Sequence, residues 1–215
     1  VTAVANVEPV AEIRRPDTLR ALVSQLAARS SAELVVADLA RELAATPDLT
    51  QTYLATLGTL YVVRLVPAWT TSRTNRSKRR PVAHFIDTAL ATHLLGETAD
   101  SLADLASPWF GPLLESYVVG EVAKQSGWAD RPVTINHYRD RDQREVDLVL
   151  ERGREIAAIE VKATSTPTLA HAKHLAFLRD RAGERFRFGV VLHTGTQAMS
   201  LGDRLAALPI SALWA

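Results

Sequence analysis

Residues 144–162 read REVDLVLERGREIAAIEVK, and no other stretch limits the fold as tightly. Two apolar-rich runs flank Gly153 and Arg154. A two-residue type II′ hairpin loop places Gly first and accepts almost any residue second. The runs are therefore predicted to be antiparallel neighbours with Arg152 opposite Glu155. Counting outward from the loop puts Asp147 directly across from Glu160 and Glu145 across from Lys162. Side chains alternate along a strand, so Val146, Leu148 and Leu150 are expected to share an apolar face with Val161, Ile159 and Ala157. Glu145, Asp147, Glu160 and Lys162 then fall on the opposite face. A slip of one residue would mix the two faces, which selects this register.

Directly opposed Cβ atoms lie ~4.5–5.5 Å apart, and like charges there destabilise the pair. Protonation of one carboxylate, the Lys162 ammonium or a divalent cation could each relieve Asp147 and Glu160. Mg²⁺ accepts carboxylate oxygens and keeps waters that can face substrate phosphates. An Asp followed by Glu-x-Lys on the adjacent strand is the arrangement of a metal-dependent phosphodiesterase, in which Lys162 would orient or activate the attacking water. An exposed sheet face carrying a Glu145–Lys162 ion pair gives a similar sequence, so spacing alone leaves both readings open.

The N-terminal half has a different texture. DTLRALVSQLAARS, ELVVADLARELAATP and DLTQTYLATLGTL carry apolar residues at helical spacing. YVVRLVP and PVAHFID read as strands. Between these strands, SRTNRSKRR holds Arg73, Arg76, Lys78, Arg79 and Arg80 without an acid. Three helices and a two-stranded ribbon with a basic tip outline a winged helix. The tip is either a solvated hairpin end or a phosphate contact. The third helix has no Arg or Lys, so base-specific reading is not expected.

The region around 97–108 reads as a connection with a short helix at most. A long helix from 110 and strands near 133–139, 145–151, 156–162 and 186–192 follow. A helix at about 168–182 separates the last two strands, and a final helix with a short strand, PISALW, is expected to close the chain. Strands alternating with helices argue for an α/β layer. The expected units are a winged-helix-like domain over 1–96 and an α/β domain over 97–215.

Composition excludes several classes. The 215 residues include no Cys, which removes disulfides and thiolate metal sites, and the net charge of +1 confines any pull on nucleic acid to local patches. No apolar run approaches the ~20 residues of a membrane span, and no signal-peptide pattern is present, so a cytoplasmic protein without membrane contact is expected. Of the 25 basic residues only Lys78, Lys124, Lys162 and Lys173 are lysines, which makes a Lys beside two carboxylates informative.

The order of a helix with LLE, a strand, EVD, a hairpin, EVK and a βαβ return resembles the PD-(D/E)xK nuclease superfamily. More closely, RSKRRPVAHFIDTAL, FGPLLESYVVGEVAKQ, HYRDRDQREVDLVLE, IAAIEVKAT, RFGVVLHTG and LPISALW resemble the C-terminal region of bacterial AAA-type ATPases with domain of unknown function 4143. The helical segment before them resembles the winged helix that usually precedes this domain. The resemblance implies a restriction-endonuclease-like mixed sheet flanked by helices. It assigns Asp147, Glu160 and Lys162 to the catalytic core, with Glu115 completing a Mg²⁺ or Mn²⁺ site alongside Asp147 and Glu160. It implies nucleic acid as partner, DNA more than RNA. Two departures stand out: Val146 replaces the usual Pro, and Ala89 stands where Gly is more frequent, so that turn is expected to differ. No G-x-x-x-x-G-K-[ST] motif occurs, so the chain is expected to be a fragment, a separately encoded remnant or a truncated gene product, with an AAA-type ATPase as partner or as the missing N-terminal module.

Arg139 and Tyr138 precede the hairpin as candidates for holding phosphate, with an ion pair as the equal alternative. Glu121 reads as helix surface or a salt bridge. His171 and His174 sit three apart without a third ligand in view, and His137 and His193 lie near strand ends. Two functions remain: a metal-dependent nuclease-like domain, or a non-catalytic module that binds nucleic acid or a partner while retaining the fold. An orphaned fragment without activity of its own is the third possibility.

Overall fold

A computed structural model describes residues 13, 15–71, 79–104 and 107–215. Arg73, Arg76 and Lys78 of the basic tip lie outside the described residues. The three expected helices form as α1 (Pro16–Ala27), α2 (Val36–Glu42) and α3 (Pro47–Thr59). Proline opens α1 and α3, where its missing N–H costs no helical bond, and the Thr46 hydroxyl caps α3 by accepting from Leu49 N at 3.2 Å. Strands β1 (Val63–Val66) and β2 (Val82–Phe85) pair antiparallel, Val63 opposite Phe85 and Val66 opposite Val82. Leu22, Leu26, Tyr53, Leu57 and Phe85 close a core between helices and ribbon.

Asp87 then caps α4 (Thr88–Leu94) by accepting from Ala89 N and Leu90 N. Ala89 therefore stands in the first turn of a helix, where a Cβ is well tolerated. A four-residue helix, α5 (Ala99–Leu102), precedes the long α6 (Phe110–Gly127). The remaining elements are β3 (Thr134–Arg139), β4 (Glu145–Arg152), β5 (Glu155–Lys162), α7 (Lys173–Ala182), β6 (Phe186–His193), β7 (Met199–Gly202) and β8 (Leu205–Pro209).

They build one mixed six-stranded sheet in the order β3-β4-β5-β6-β8-β7. The β5–β6 and β6–β8 pairs are parallel and the others antiparallel. Helix α6 covers one face, with Val118, Val119 and Val122 packed near Leu148, Ile159, Val161 and Leu192. Helix α7 covers the other, its Leu175 and Leu178 against Val149, Ile156, Ala158 and Val191. Each such side chain taken fully from water contributes about 1.5–3 kcal/mol. Gly189 lies under α7, where an added Cβ would stand 2.7 Å from Leu205 Cδ2 and 2.8 Å from the Phe186 ring.

The two halves of the chain meet at several places, among them Ser31 Oγ donating to Pro112 O at 2.8 Å and the segment after β1. Trp69 N donates to His137 O at 2.6 Å and His137 N donates to Pro67 O at 3.0 Å, so the segment after β1 bonds to β3. The Trp69 ring is buried beside Tyr138, with centroids 6.2 Å apart. Among the described residues no helix is long and apolar enough to cross a membrane.

Two expectations need correction. The chain does not end in a helix and a strand: residues after Gly195 fold into the β7–β8 hairpin, and 210–214 form a 3-10 turn. Burial of Leu201, Leu205 and Ala207 in the sheet outweighs the helical propensity of that Leu- and Ala-rich segment. The second correction concerns β4. Its two faces are both covered, and the expected apolar set does not lie on one of them. Val146 belongs to the α7 side while Leu148, Ile159 and Val161 belong to the α6 side.

Candidate active site

The β4–β5 hairpin has the expected turn and register. Gly153 adopts φ +64°, as the first loop position of a type II′ turn requires, and Arg152 pairs with Glu155, Leu150 with Ala157 and Leu148 with Ile159. The ladder stops there. Val146–Val161 and Glu145–Lys162 are not strand partners, because β4 carries a bulge at this point. Along β3, Asn136 pairs with Val149 but Tyr138 pairs with Val146, so β4 has one residue too many between them. An extra residue bends a strand and re-aims its side chains. It also inverts the alternation, which explains why Val146 and Leu148 face opposite sides.

Asp147 occupies the bulge. Its Oδ2 accepts from Val161 N at 2.6 Å, in the place a strand-to-strand bond would take. The carboxylate thus lies between β4 and β5 where they part. Glu160, 5% exposed, follows on β5. Its Oε1 meets Lys162 Nζ at 2.7 Å, and its Oε2 is buried with no hydrogen-bond partner among the described residues.

Burial dominates the electrostatics here, followed by the neighbouring charges. It pushes the Glu160 carboxyl up to about 8, with the Asp147 charge adding to the shift and Lys162 opposing it. Burial also raises Asp147 to about 6 against the pull of Lys162 and the Val161 N–H. Glu115, partly buried on α6, is raised well above the usual carboxylate range by burial and by Asp147. Burial opposes the charge on Lys162, yet Glu160 and Asp147 hold its pKa above the ordinary value. Asp147, Glu160 and Lys162 therefore share one site, with Glu115 in electrostatic reach.

Glu115 does not close a three-carboxylate cage. Among the described residues, no group of three or more His, Cys, Asp or Glu side chains is arranged to hold a metal ion. The fit is with an ion that takes two carboxylates and keeps its waters, as Mg²⁺ does. The unpartnered buried oxygen of Glu160, beside a second carboxylate, is the feature such an ion would satisfy.

The other candidates sort clearly. Arg139 donates to Gln143 Oε1 at 2.7 Å and lies 3.6 Å from Glu145 and 4.0 Å from Glu33, so it is engaged in ion pairs. Tyr138 donates to Asp140 at 3.1 Å. Arg79 donates to the Arg139 carbonyl at 2.7 Å, and Arg80 is exposed with its carbonyl 3.1 Å from His137 Nε2. Glu121 pairs with Lys124 at 2.5 Å. His171 caps Thr168 N at 3.0 Å and His174 Nδ1 lies 2.9 Å from the Glu145 carbonyl oxygen, so they form no joint site. His193 is buried, accepting from Gly195 N and donating to Gln197 O, each at 3.0 Å.

Sequence reasoning missed a polar recess of about 450 Å³ beside the site, floored by Trp69 and Tyr138 and rimmed by Arg79, Arg141, Arg144 and Arg181. The charge-dense RDRDQR at 139–144 was its signal, whereas Arg181 comes from α7 and is linked only through the fold.

Comparison with known proteins matches the two halves separately. Residues 110–213 match the family described as "Domain of unknown function (DUF4143)", and residues 4–101 match "Domain of unknown function (DUF8612)". The C-terminal segment is thus similar to the domain of unknown function the sequence pointed to. Uncharacterized protein Rv2008c of Mycobacterium tuberculosis and Uncharacterized protein Mb2031c of Mycobacterium bovis are each 28% identical over 173 residues. The alignment covers 80% of this chain and 37% of each relative. The chain therefore spans little more than a third of their length. No solved structure matches.

Proposed function

We propose that the C-terminal sheet is a restriction-endonuclease-like core of the PD-(D/E)xK kind, acting on nucleic-acid phosphodiesters with Mg²⁺ or Mn²⁺. On this reading the N-terminal helices and ribbon are a winged-helix-like unit, and the chain serves an AAA-type ATPase module. The observation that carries the reading is the buried, unpartnered Glu160 Oε2, whose carboxyl feels the charge of Asp147.

Asp147 and Glu160 would hold the ion, Asp147 fixed by Val161 N–H and Glu160 by burial. A bound divalent cation supplies Lewis acidity toward a phosphoryl oxygen and an acidified water. Lys162 would release Glu160 and donate to that water or to a phosphate oxygen. Glu115 would stay outside the pair as a nearby carboxyl whose ionisation burial and Asp147 both oppose.

Incubation of the protein with single- and double-stranded DNA and with RNA, in Mg²⁺ and Mn²⁺, tests the proposal. Cleavage should fall at least 100-fold in Asp147→Asn and in Lys162→Met. Cleavage by neither metal on any substrate, or equal cleavage by wild type and Asp147→Asn, defeats the nuclease reading. A second reading has its own support: Lys162 Nζ pairs with Glu160 Oε1 at 2.7 Å, a contact that a non-catalytic binding module would also keep. Oligonucleotide binding in chelator without cleavage in metal would favour that module.

A further inference from the structure

The recess between the β3–β4 turn and α7 has an unusual charge arrangement. Both of its acids are already engaged. Asp140 accepts from Arg144 at 3.0 Å, from Tyr138 and from the backbone N–H groups of Asp142 and Arg144, and Asp142 accepts from Arg144 at 2.6 Å. Arg144 is further held over the Phe177 ring, 4.3 Å from its centroid. Arg141 and Arg181, both exposed, have no acid partner among the described residues. Two unpaired guanidinium groups and a third fixed by packing thus face one cavity of about 450 Å³.

Guanidinium forks match phosphate geometry bidentately. The volume suits a ligand the size of one nucleotide and is too small for a duplex. Trp69 and Tyr138 are 1% and 5% exposed, so they form a floor and leave no ring face for a base to stack on. The recess therefore selects the phosphate of a strand. Its position is consistent with this. Arg144 immediately precedes β4 and stands three residues before Asp147, so their backbones are at most roughly 10 Å apart, the span of about three nucleotides of a stacked strand. Glu160 and Lys162 alternate with Val161 and so lie on the α7 side, the side on which the recess opens.

We infer that Arg141, Arg144 and Arg181 form an anchor for a phosphate group of a single nucleic-acid strand, a few nucleotides from Asp147 and Glu160. The role as an anchor for cleavage rests on the proposed nuclease reading, but the phosphate site itself does not. The test is fluorescence anisotropy of a labelled oligothymidylate in chelator, so that no metal chemistry contributes. Arg141→Gln/Arg181→Gln should bind about tenfold or more weaker than wild type and lower the salt slope by about 0.7 for each phosphate no longer neutralised. Arg131→Gln/Arg154→Gln, two exposed changes away from the recess, is the charge-matched control and should bind as wild type. Comparing 5′-phosphorylated with 5′-hydroxyl strands separates the sources: a preference for the former assigns the recess to a strand end, and equal binding to an internal phosphodiester. Equal affinity and salt slope for wild type and the double variant overturn the inference, as does failure of wild type to bind. Cleavage that persists in the double variant at saturating strand would then leave the nuclease reading standing without the anchor. Loss of binding in a protein that never cleaves would do the reverse.

Discussion

Occupation of the candidate site by a divalent cation should be coupled to proton release, and the size of the effect follows from Glu160. Burial and Asp147 put its carboxyl at about 8, while an ion needs the carboxylate. At about pH 6.5 roughly one molecule in thirty has Glu160 ionised, and at about pH 8.5 about three quarters do. Apparent Mn²⁺ affinity should therefore rise about 25-fold across that interval, near 2 kcal/mol. At the lower pH about one proton should leave per ion bound, chiefly from Glu160, because Asp147 at about 6 is already mostly ionised. Calorimetric titration in two buffers of different ionisation enthalpy measures both quantities. Glu160→Gln should bind weakly and lose the pH dependence. Flat affinity with no proton release, or no binding at either pH, would refute the reasoning.

Four further outcomes follow from the packing and charge. In metal-free protein the raised Glu160 keeps a proton that the unfolded chain releases, so its contribution to stability falls as pH rises from about 4.5 to about 8. The buried His84, held at about 3, refuses a proton that the unfolded chain accepts below about 6.5, so it opposes that fall only on the acid side of about pH 6.5. Urea midpoints should therefore fall between about pH 6.5 and 8, and Glu160→Gln should flatten that limb. Gly195→Ala should cost about 2 kcal/mol or more, because its Cβ would collide with the Ser165 carbonyl oxygen. Gly58→Ala, in α3 with open space around it, should instead stabilise by about 0.5–1 kcal/mol. Leu178→Ala should lower stability by about 2–5 kcal/mol through the cavity left under α7, read from the thermal midpoint.

The hairpin was legible because its turn chemistry and two apolar runs admit one register, and the pairs from Leu148–Ile159 to Arg152–Glu155 follow it. The bulge was not. A side chain that replaces a backbone acceptor, as Asp147 does for Val161 N–H, leaves no periodic trace, and only the slip between Asn136 and Tyr138 reveals it. The closeness of Asp147, Glu160 and Lys162 survives this change because all three stand where β4 and β5 part. At the end of the chain, Leu and Ala residues favoured a helix, while the Gly202–Arg204 turn signal marked the hairpin. The sheet decided it by burying Leu205 and Ala207. Arg181 could not be joined to RDRDQR from sequence, since only the crossover through α7 brings them together.

The bonds from Pro67 and Trp69 to His137 have a consequence for assembly. A strand at the rim of a sheet offers unpaired amides and carbonyls to any extended chain that meets it. At the β3 rim the protein's own segment already fills part of that template, and a buried Trp side chain pins it down. The opposite rim is β7, four residues long and ending in a glycine at φ +121°. Strand addition by a foreign peptide or a second copy is thus directed to β7, the rim farther from Asp147, and growth there would lengthen the sheet without obstructing the carboxylates.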